Sequence, residues 1–338
     1  MTKYAVTGDL QFADQPRLSH LRDDGITSRL HDQVECFDWM LDVAEERGCE
    51  GLLALGDIYD QRNAVTSTVL DQAGRLFERA SSMFPDEVHV LVGNHDTPLR
   101  TPNITSLRAL SGHAHVWDEG GTWESLAFAP WMQDPDDYRS MIGALSKEKE
   151  ARFLLSHVMV VGAVPAEIGK AHTDLRPKRW DRIFLGDIHE PLEFSDSKIQ
   201  YVGAPMHHHF GDAGGERGFW ILDTETGEYE FVENDVSPRF HIVRDRKSLE
   251  SINERDFARV QVEDDEVGQS LEREAGKRTA HVESRAVVLE EAEVRLDVRT
   301  TQSHRDILSA YAKHCEIGEE QREPLVALGM EILEEVLG

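Results

Sequence analysis

Five stretches of this chain run apolar and then stop at a side chain able to bind a metal. They are Tyr4-Ala5-Val6-Thr7-Gly8-Asp9, Gly51-Leu52-Leu53-Ala54-Leu55-Gly56-Asp57, Val88-His89-Val90-Leu91-Val92-Gly93-Asn94-His95-Asp96, Phe153-Leu154-Leu155-Ser156-His157 and Ile183-Phe184-Leu185-Gly186-Asp187-Ile188-His189. A short apolar run that ends at a polar residue reads as a buried strand delivering its last side chain to the open edge of a sheet. One Gly-Asp after a strand is usually a turn, and one histidine there is usually structural. Five such ends in one chain converge on a single site.

The residue types suit one kind of chemistry. Cutting a phosphodiester in water requires a nucleophilic hydroxide and neutralisation of charge on the phosphoryl oxygens, and two divalent ions about 4 Å apart can supply both. A carboxylate such as Asp57 can bridge them, while imidazoles and further oxygens complete each shell. Mixed oxygen and nitrogen ligands favour manganese or a similar first-row ion over calcium, with zinc, iron and magnesium as the alternatives. His95 stands beside the ligand candidate Asn94, so it can face the substrate and donate a proton to the leaving oxygen.

The elements that would carry these ends follow from periodicity. Residues 33–47 place Val34, Phe37, Leu41 and Ala44 at helical spacing, with Gly48 as a C-cap. Residues 66–79 form a second amphipathic helix with Val69, Leu70, Ala73, Leu76 and Phe77, and 103–110 a short third one. Loose alternation over 116–131 reads as β structure, and 134–150 as a partly helical connection. Short strands at 199–202, 219–223 and 229–232 follow, the last two joined by a turn at Thr226-Gly227. The pattern predicts an α/β fold, a two-sheet sandwich flanked by helices, over residues 1–236. Composition shifts at Ser237-Pro238. Residues 237–299 read as a small α/β cap, with strands at 258–262 and 285–289 around a helix, and Glu263 to Glu266 as an acidic loop. Residues 300–338 read as a helical pair.

The balance of 64 acidic to 36 basic residues gives a formal charge of -28. Phosphate-backbone binding draws on Lys and Arg, so the chain alone is poorly equipped to hold DNA; a partner, or a high-salt setting that screens charge, would resolve this. Cys36, Cys49 and Cys315 lack CxxC spacing, which argues against a disulfide framework. No apolar run approaches the roughly 18 residues of a membrane span, and a cytoplasmic protein is expected.

The motifs Gly56-Asp57, Gly93-Asn94-His95-Asp96, His157 and Gly186-Asp187-Ile188-His189 resemble those of the calcineurin-like metallophosphoesterases. Within that superfamily the chain is similar to the SbcD-type DNA repair nucleases and their counterparts in T4-like phages. The likeness extends to Asp60-Gln61-Arg62, Pro130-Trp131-Met132, Tyr201-Val202-Gly203-Ala204-Pro205, Gly211-Asp212 and Arg217-Gly218-Phe219-Trp220. The resemblance implies a two-metal DNA exonuclease and endonuclease. Asp9 and His189 would hold the first metal, Asn94 and His157 the second, and Asp57 would bridge. Gln11 and Asp187 stand where the family usually has histidines on the first and second metal. His95 would face the phosphate, with Asp96 orienting it, and the loop His207-His208-His209 would lie near the site. The resemblance also implies an SbcC-like coiled-coil ATPase docked on residues 300–338, and a homodimer paired through 66–79 and 103–110. A phosphoesterase acting on another substrate, and a non-catalytic scaffold for the ATPase, are the alternatives.

Overall fold

Why the apolar runs are continuous becomes plain once both faces of each sheet are traced. The computed structural model describes residues 2–15, 18–98, 104–160, 175–193, 198–279 and 281–284, and in the tail 305, 309, 312, 318 and 322–330. Strands β1 (Lys3–Thr7), β2 (Gly51–Ala54), β3 (Val88–Leu91) and β4 (His115–Trp117) run parallel. A second sheet is built from β5 (Gly121–Trp123), β6 (Leu126–Ala129), β7 (Phe153–His157), β8 (Arg182–Gly186), β9 (Leu192–Glu193) and β10 (Ile199–Tyr201), in the order β5-β6-β7-β8-β10-β9. Strands β11 (Gly218–Asp223) and β12 (Tyr229–Glu233) return antiparallel to the first sheet, completing the order β12-β11-β1-β2-β3-β4.

The pleat sends alternate residues to opposite faces. Ala5, Leu52, Ala54, Val88 and Val90 therefore pack beneath helices α1 (Ser28–Glu46) and α2 (Ser67–Met83). Tyr4, Val6, Leu53, Leu55 and Leu91 meet Phe128, Phe153, Leu155 and Phe184 between the sheets. On the far side Leu154, Ile183 and Leu185 pack on Tyr138 and Ile142 of α3 (Pro135–Leu145). Strands covered on both faces have no solvent side to make polar. The result is the expected α/β two-sheet sandwich flanked by helices.

Helix starts follow capping chemistry. The side chains of Thr27, Thr66 and Asp134 accept first-turn N–H groups of α1, α2 and α3. Helix α1 begins at Ser28, ahead of the expected residue 33, because its first turn turns polar groups inward. Arg29 and Asp32 are buried as a pair at 3.1 Å, which masks the apolar period. The expected helix at 103–110 is a 3-10 stretch, Ser106–Leu110, residue 103 lying outside the described residues. The apolar stripe of α2 is mostly turned inward. Val69, Ala73, Leu76 and Phe77 are consumed by the chain's own core, and Leu70 (37% exposed) and Ile104 (53%) remain outward.

A small parallel sheet follows, formed by β13 (Phe240–Val243), β14 (Phe257–Val260) and β15 (His281–Ser284), with α4 (Asp265–Ala275) packed on it through Leu271 and Ala275. The third strand is thus 281–284, and the expected strand at 285–289 lies outside the described residues. The acidic run is not a loop: Asp264 caps α4, and Asp265 and Glu266 fill its first turn, where negative charge is favoured. The chain forms two compact units, Met1–Arg285 and Ala286–Gly338. The small sheet belongs to the first because the Arg29 guanidinium lies over the Phe240 and Phe257 rings at 5.2 and 4.9 Å, and Arg255 reaches Asp32 at 2.9 Å. In the second unit, residues 322–330 are helical. Among the described residues no helix is long and apolar enough to cross a membrane.

Candidate metal centre

The carboxyl ends of β1, β2, β3, β7 and β8 meet at one end of the sandwich. Each of the first two chains reverses sharply just beyond its strand. Asp9, Gln11, Asp57 and Asp187 all have positive φ (50°, 45°, 52° and 88°), a left-handed conformation that costs free energy in residues with a Cβ. The reversal returns each side chain over the strand ends. Ligand atoms of Asp9, Asp57 and His157 lie within 4.8 Å of one another, all three residues buried. His157 donates from Nδ1 to the Leu55 carbonyl at 2.7 Å, which turns Nε2 toward Asp57 Oδ1 at 3.4 Å and Asp187 Oδ1 at 3.7 Å.

Asn94 joins this group, one atom of its amide lying 3.0 Å from His157 Nε2 and 3.2 Å from Asp57 Oδ2. Asp9 adds a buried Oδ1 with no hydrogen-bond partner, while its Oδ2 accepts the Asp187 N–H at 3.1 Å. Burial of three neighbouring carboxylates is costly without a compensating charge. Burial pushes the Asp9 carboxyl up to about 6 and raises that of Asp187, against the pull of His157. Burial would lower the His157 imidazole, but Asp57, Asp9 and Asp187 hold it well above its ordinary range. The same carboxylate and imidazole groups that take up protons here are the donor types that fit a divalent cation, which would displace those protons.

His189 is in a neighbouring group rather than in this one. Its ligand atom lies within 4.8 Å of those of His209 and Asp212. Asp212 Oδ1 is 3.4 Å from His189 Nδ1, the carboxylate–histidine arrangement that fixes a tautomer and frees Nε2. That nitrogen faces Gln11 Nε2 at 3.1 Å, so the glutamine amide hydrogen-bonds the atom a metal would need. Gln11→His, which restores an imidazole here, is expected to tighten manganese binding at least about tenfold by calorimetry; unchanged affinity would put position 11 outside the ligand shell.

His95 and Asp96 separate. The His95 N–H donates to Asp57 Oδ1 at 2.8 Å, and its ring Nδ1 donates to the Asp60 carbonyl. Asp96 is fully buried and accepts the backbone N–H groups of Asp57, Ile58, Tyr59 and Gly93 at 2.8, 3.1, 3.2 and 3.0 Å. Burial and the Asp57 charge push its carboxyl up to about 7, opposed by those donors. The reading in which Asp96 orients His95 is therefore corrected: Asp96 locks the β2 and β3 loops together, and the Asp60 carbonyl orients His95.

Two contributors were not read as site residues. Asp212 appeared in the sequence only within Gly211-Asp212, and it accepts the backbone N–H groups of His208 and His209 as well as Arg217. His208, within the histidine tract, donates from Nε2 to the Asp9 carbonyl at 2.8 Å and so helps fix the first ligand.

Acidic, amide and imidazole side chains thus meet on the strand ends of a sandwich of two sheets flanked by helices. Exonuclease subunit 1 of Enterobacteria phage T4 is 26% identical to the chain over 216 residues, covering 61% of this chain and 62% of that protein. The chain thus spans somewhat under two thirds of that relative's length. No protein-family model matches. Among solved structures, an archaeal phosphodiesterase is 14% identical with a TM-score of 0.35, covering 69% of this chain and 99% of its own. The Yfce phosphoesterase of E. coli (13%, TM-score 0.31, 66% and 88%) and the nuclease MPE of Pseudomonas putida (14%, 0.29, 64% and 84%) are similar in the same measure.

Proposed function

We propose that this chain is a metal-dependent phosphodiesterase that cuts DNA as the nuclease subunit of an end-processing complex. The observation that carries this is the convergence of ligand atoms of Asp9, Asp57 and His157, all buried and within 4.8 Å of one another, with the Asn94 amide beside them. Two divalent ions, manganese foremost, held by Asp9, Asp57, Asn94, His157 and Asp187 with His189 and Gln11 beside them, would neutralise phosphoryl charge and generate hydroxide at neutral pH. The chain's own residues do the rest. His157 keeps Nε2 directed inward because Leu55 takes its Nδ1 proton. His95, its Nδ1 anchored on the Asp60 carbonyl, would serve the leaving oxygen through Nε2, as an acid only in its imidazolium form. Asp96 keeps the two loops in register.

DNA as substrate rests on the likeness to a phage exonuclease subunit. That relative's subunit status also supports a partner, here an SbcC-like coiled-coil ATPase bound by residues 300–338, where Leu325 and Leu328 are 48% and 54% exposed. Such a partner would provide the basic DNA-holding surface that a chain of net charge -28 lacks. Self-pairing would use the outward Leu70 and Ile104, and the complex would act in the cytoplasm of the cell that holds the DNA.

The test is to incubate the full chain with manganese and linear DNA, with and without the ATPase, beside His95→Ala. Cutting that requires manganese and falls about 10²–10⁴-fold in the variant is expected. Bound metal without cutting, even with the partner, would favour the scaffold reading, which the Gln11–His189 hydrogen bond motivates.

A further inference from the structure

A cavity of about 200 Å³ lies where the small sheet meets the histidine loop, one side chain away from the metal ligands. Leu18, Phe210 and Phe240 give it apolar walls, with His208 and the guanidiniums of Arg29 and Arg259 beside them. His208 donates from Nε2 to the Asp9 carbonyl at 2.8 Å, so its proton is engaged there. In the neutral ring that leaves Nδ1 as an acceptor, and Nδ1 is buried with no hydrogen-bond partner. An acceptor left unsatisfied inside a protein is costly, and this one belongs to a side chain that lines the cavity while only 3% exposed.

The walls decide what fills the space. Among the described residues no carboxylate lines it, although acidic residues outnumber basic ones 64 to 36 in the chain, so a cation finds no counter-charge there. Nor is an anion called for, because both guanidiniums are already neutralised. Arg29 pairs with Asp32 at 3.1 Å and lies over the Phe240 ring at 5.2 Å; Arg259 pairs with Glu283 at 2.8 Å and lies over the Phe210 ring at 4.0 Å. A single water, at roughly 30 Å³, would leave most of the space empty. The group that fits is neutral, flat enough to lie against rings and guanidinium planes, and carries an N–H for His208 Nδ1. A nucleobase has all three properties.

We propose that this cavity is a nucleobase subsite, holding the base of the nucleotide whose phosphate lies at the metals and presenting His208 Nδ1 to an N–H of that base. The assignment deepens the DNA-nuclease reading and rests on it for the position of the phosphate. The His208 ring stands 5.3 Å from that of His189, so the cavity begins one ring beyond the ligand group. A base enters only by leaving its stack, which costs least at a DNA end or in a single strand. The subsite thus ties cleavage to nucleotides that are already free to unstack.

The test compares deoxyadenosine monophosphate with deoxyribose phosphate, which lacks the base, in calorimetry on the full chain with manganese. Wild type is expected to bind the nucleotide at least about tenfold more tightly. Leu18→Trp, which puts an indole into the cavity, should remove that difference. The nitrogen NMR signal of His208 Nδ1 should move toward the hydrogen-bonded range with the nucleotide and stay in place with the sugar phosphate. Equal affinity of wild type for the two ligands, or a difference that survives in folded Leu18→Trp, overturns the proposal. So does a His208 Nδ1 already hydrogen-bonded without nucleotide, which would make water the occupant. The nitrogen signal decides alone should Leu18→Trp fail to fold. Hydrolysis of bis(p-nitrophenyl) phosphate separates the two readings. Manganese-dependent turnover with equal affinities removes the subsite and keeps the phosphodiesterase, whereas base-dependent binding without turnover of this ester or of DNA keeps the subsite and removes the phosphodiesterase.

Discussion

Asp57→Asn is expected to lower manganese-dependent DNA cleavage by at least about a thousandfold, with a matching loss of one manganese from the calorimetric stoichiometry. The reason is that Asp57 serves three neighbours at once. Its Oδ1 accepts the His95 N–H at 2.8 Å and lies 3.4 Å from His157 Nε2, while Oδ2 lies 3.2 Å from the Asn94 amide. An asparagine keeps the shape but replaces one of these acceptors with a donor and removes the charge. If the new NH2 takes the first position it opposes the His95 N–H; if it takes the second it points into the ligand cluster. The first choice sets donor against donor and leaves only a neutral oxygen for the cation, the second removes that oxygen, and no third rotamer serves both. His157 and the His95 N–H also hold the Asp57 carboxyl below its usual range against the effect of burial, so the residue is ionised and available. Retention of activity within tenfold of wild type would sink the metal-centre reading, since no other carboxylate in the site can take both positions.

The strand ends were legible because their two requirements leave marks in the sequence. A strand buried on both faces must be apolar throughout, and a ligand at its end must interrupt that run. The glycines have a steric cause. At Gly93 an added Cβ would collide with Asp57 Oδ1, and at Gly56, which also has φ +89°, it would strike the His157 ring. Gly-Asp and Gly-Asn-His therefore mark where one loop crosses another at backbone distance. Residues that act through satisfied polar contacts left no such mark. Arg29 and Asp32 look like a solvated helix start, yet they are buried because each neutralises the other. Asp96 reads as a neighbour for His95, yet its four backbone bonds direct it elsewhere. Asp212 and His208 come from a loop some 200 residues from Asp9 in sequence, as the 199-residue separation of the His208–Asp9 bond records. Only the path of β11 back to β1 brings them together. The apolar stripe of α2 shows the opposite failure: a face legible as apolar says that something covers it, and here the cover is α1 and the first sheet.

Acid should destabilise the fold through buried histidines before it titrates the surface carboxylates. His89 is fully buried; it accepts from Trp117 Nε1 at 3.3 Å and stacks on His115 at 5.1 Å. His207 accepts the Phe240 N–H at Nδ1 and donates from Nε2 to the Gly215 carbonyl, at 3.1 and 2.9 Å. Burial keeps both neutral, pushing His89 down to about 3 and His207 down to about 4. A base whose folded pKa is depressed binds fewer protons folded than unfolded between that value and about 6.5, so stability is complete above 6.5 and falls as pH drops below it. Each group then contributes a loss of about 2 kcal/mol between pH 7 and pH 5, roughly 4 kcal/mol together. Urea unfolding of the chelator-treated protein at pH 7, 6 and 5 measures the sum over every shifted group, in which buried His208, depressed to about 3, adds to the loss and the raised Asp9, Asp96, Asp187, His157 and His189 oppose it. His207→Gln isolates one term, because a glutamine can accept from Phe240 and donate to Gly215 without titrating. Its stability should fall less steeply than wild type by about 1.4 kcal/mol per pH unit between pH 6 and 5. An identical slope in the two proteins would mean that His207 is already protonated in the fold, and that the loop carrying it is open to water.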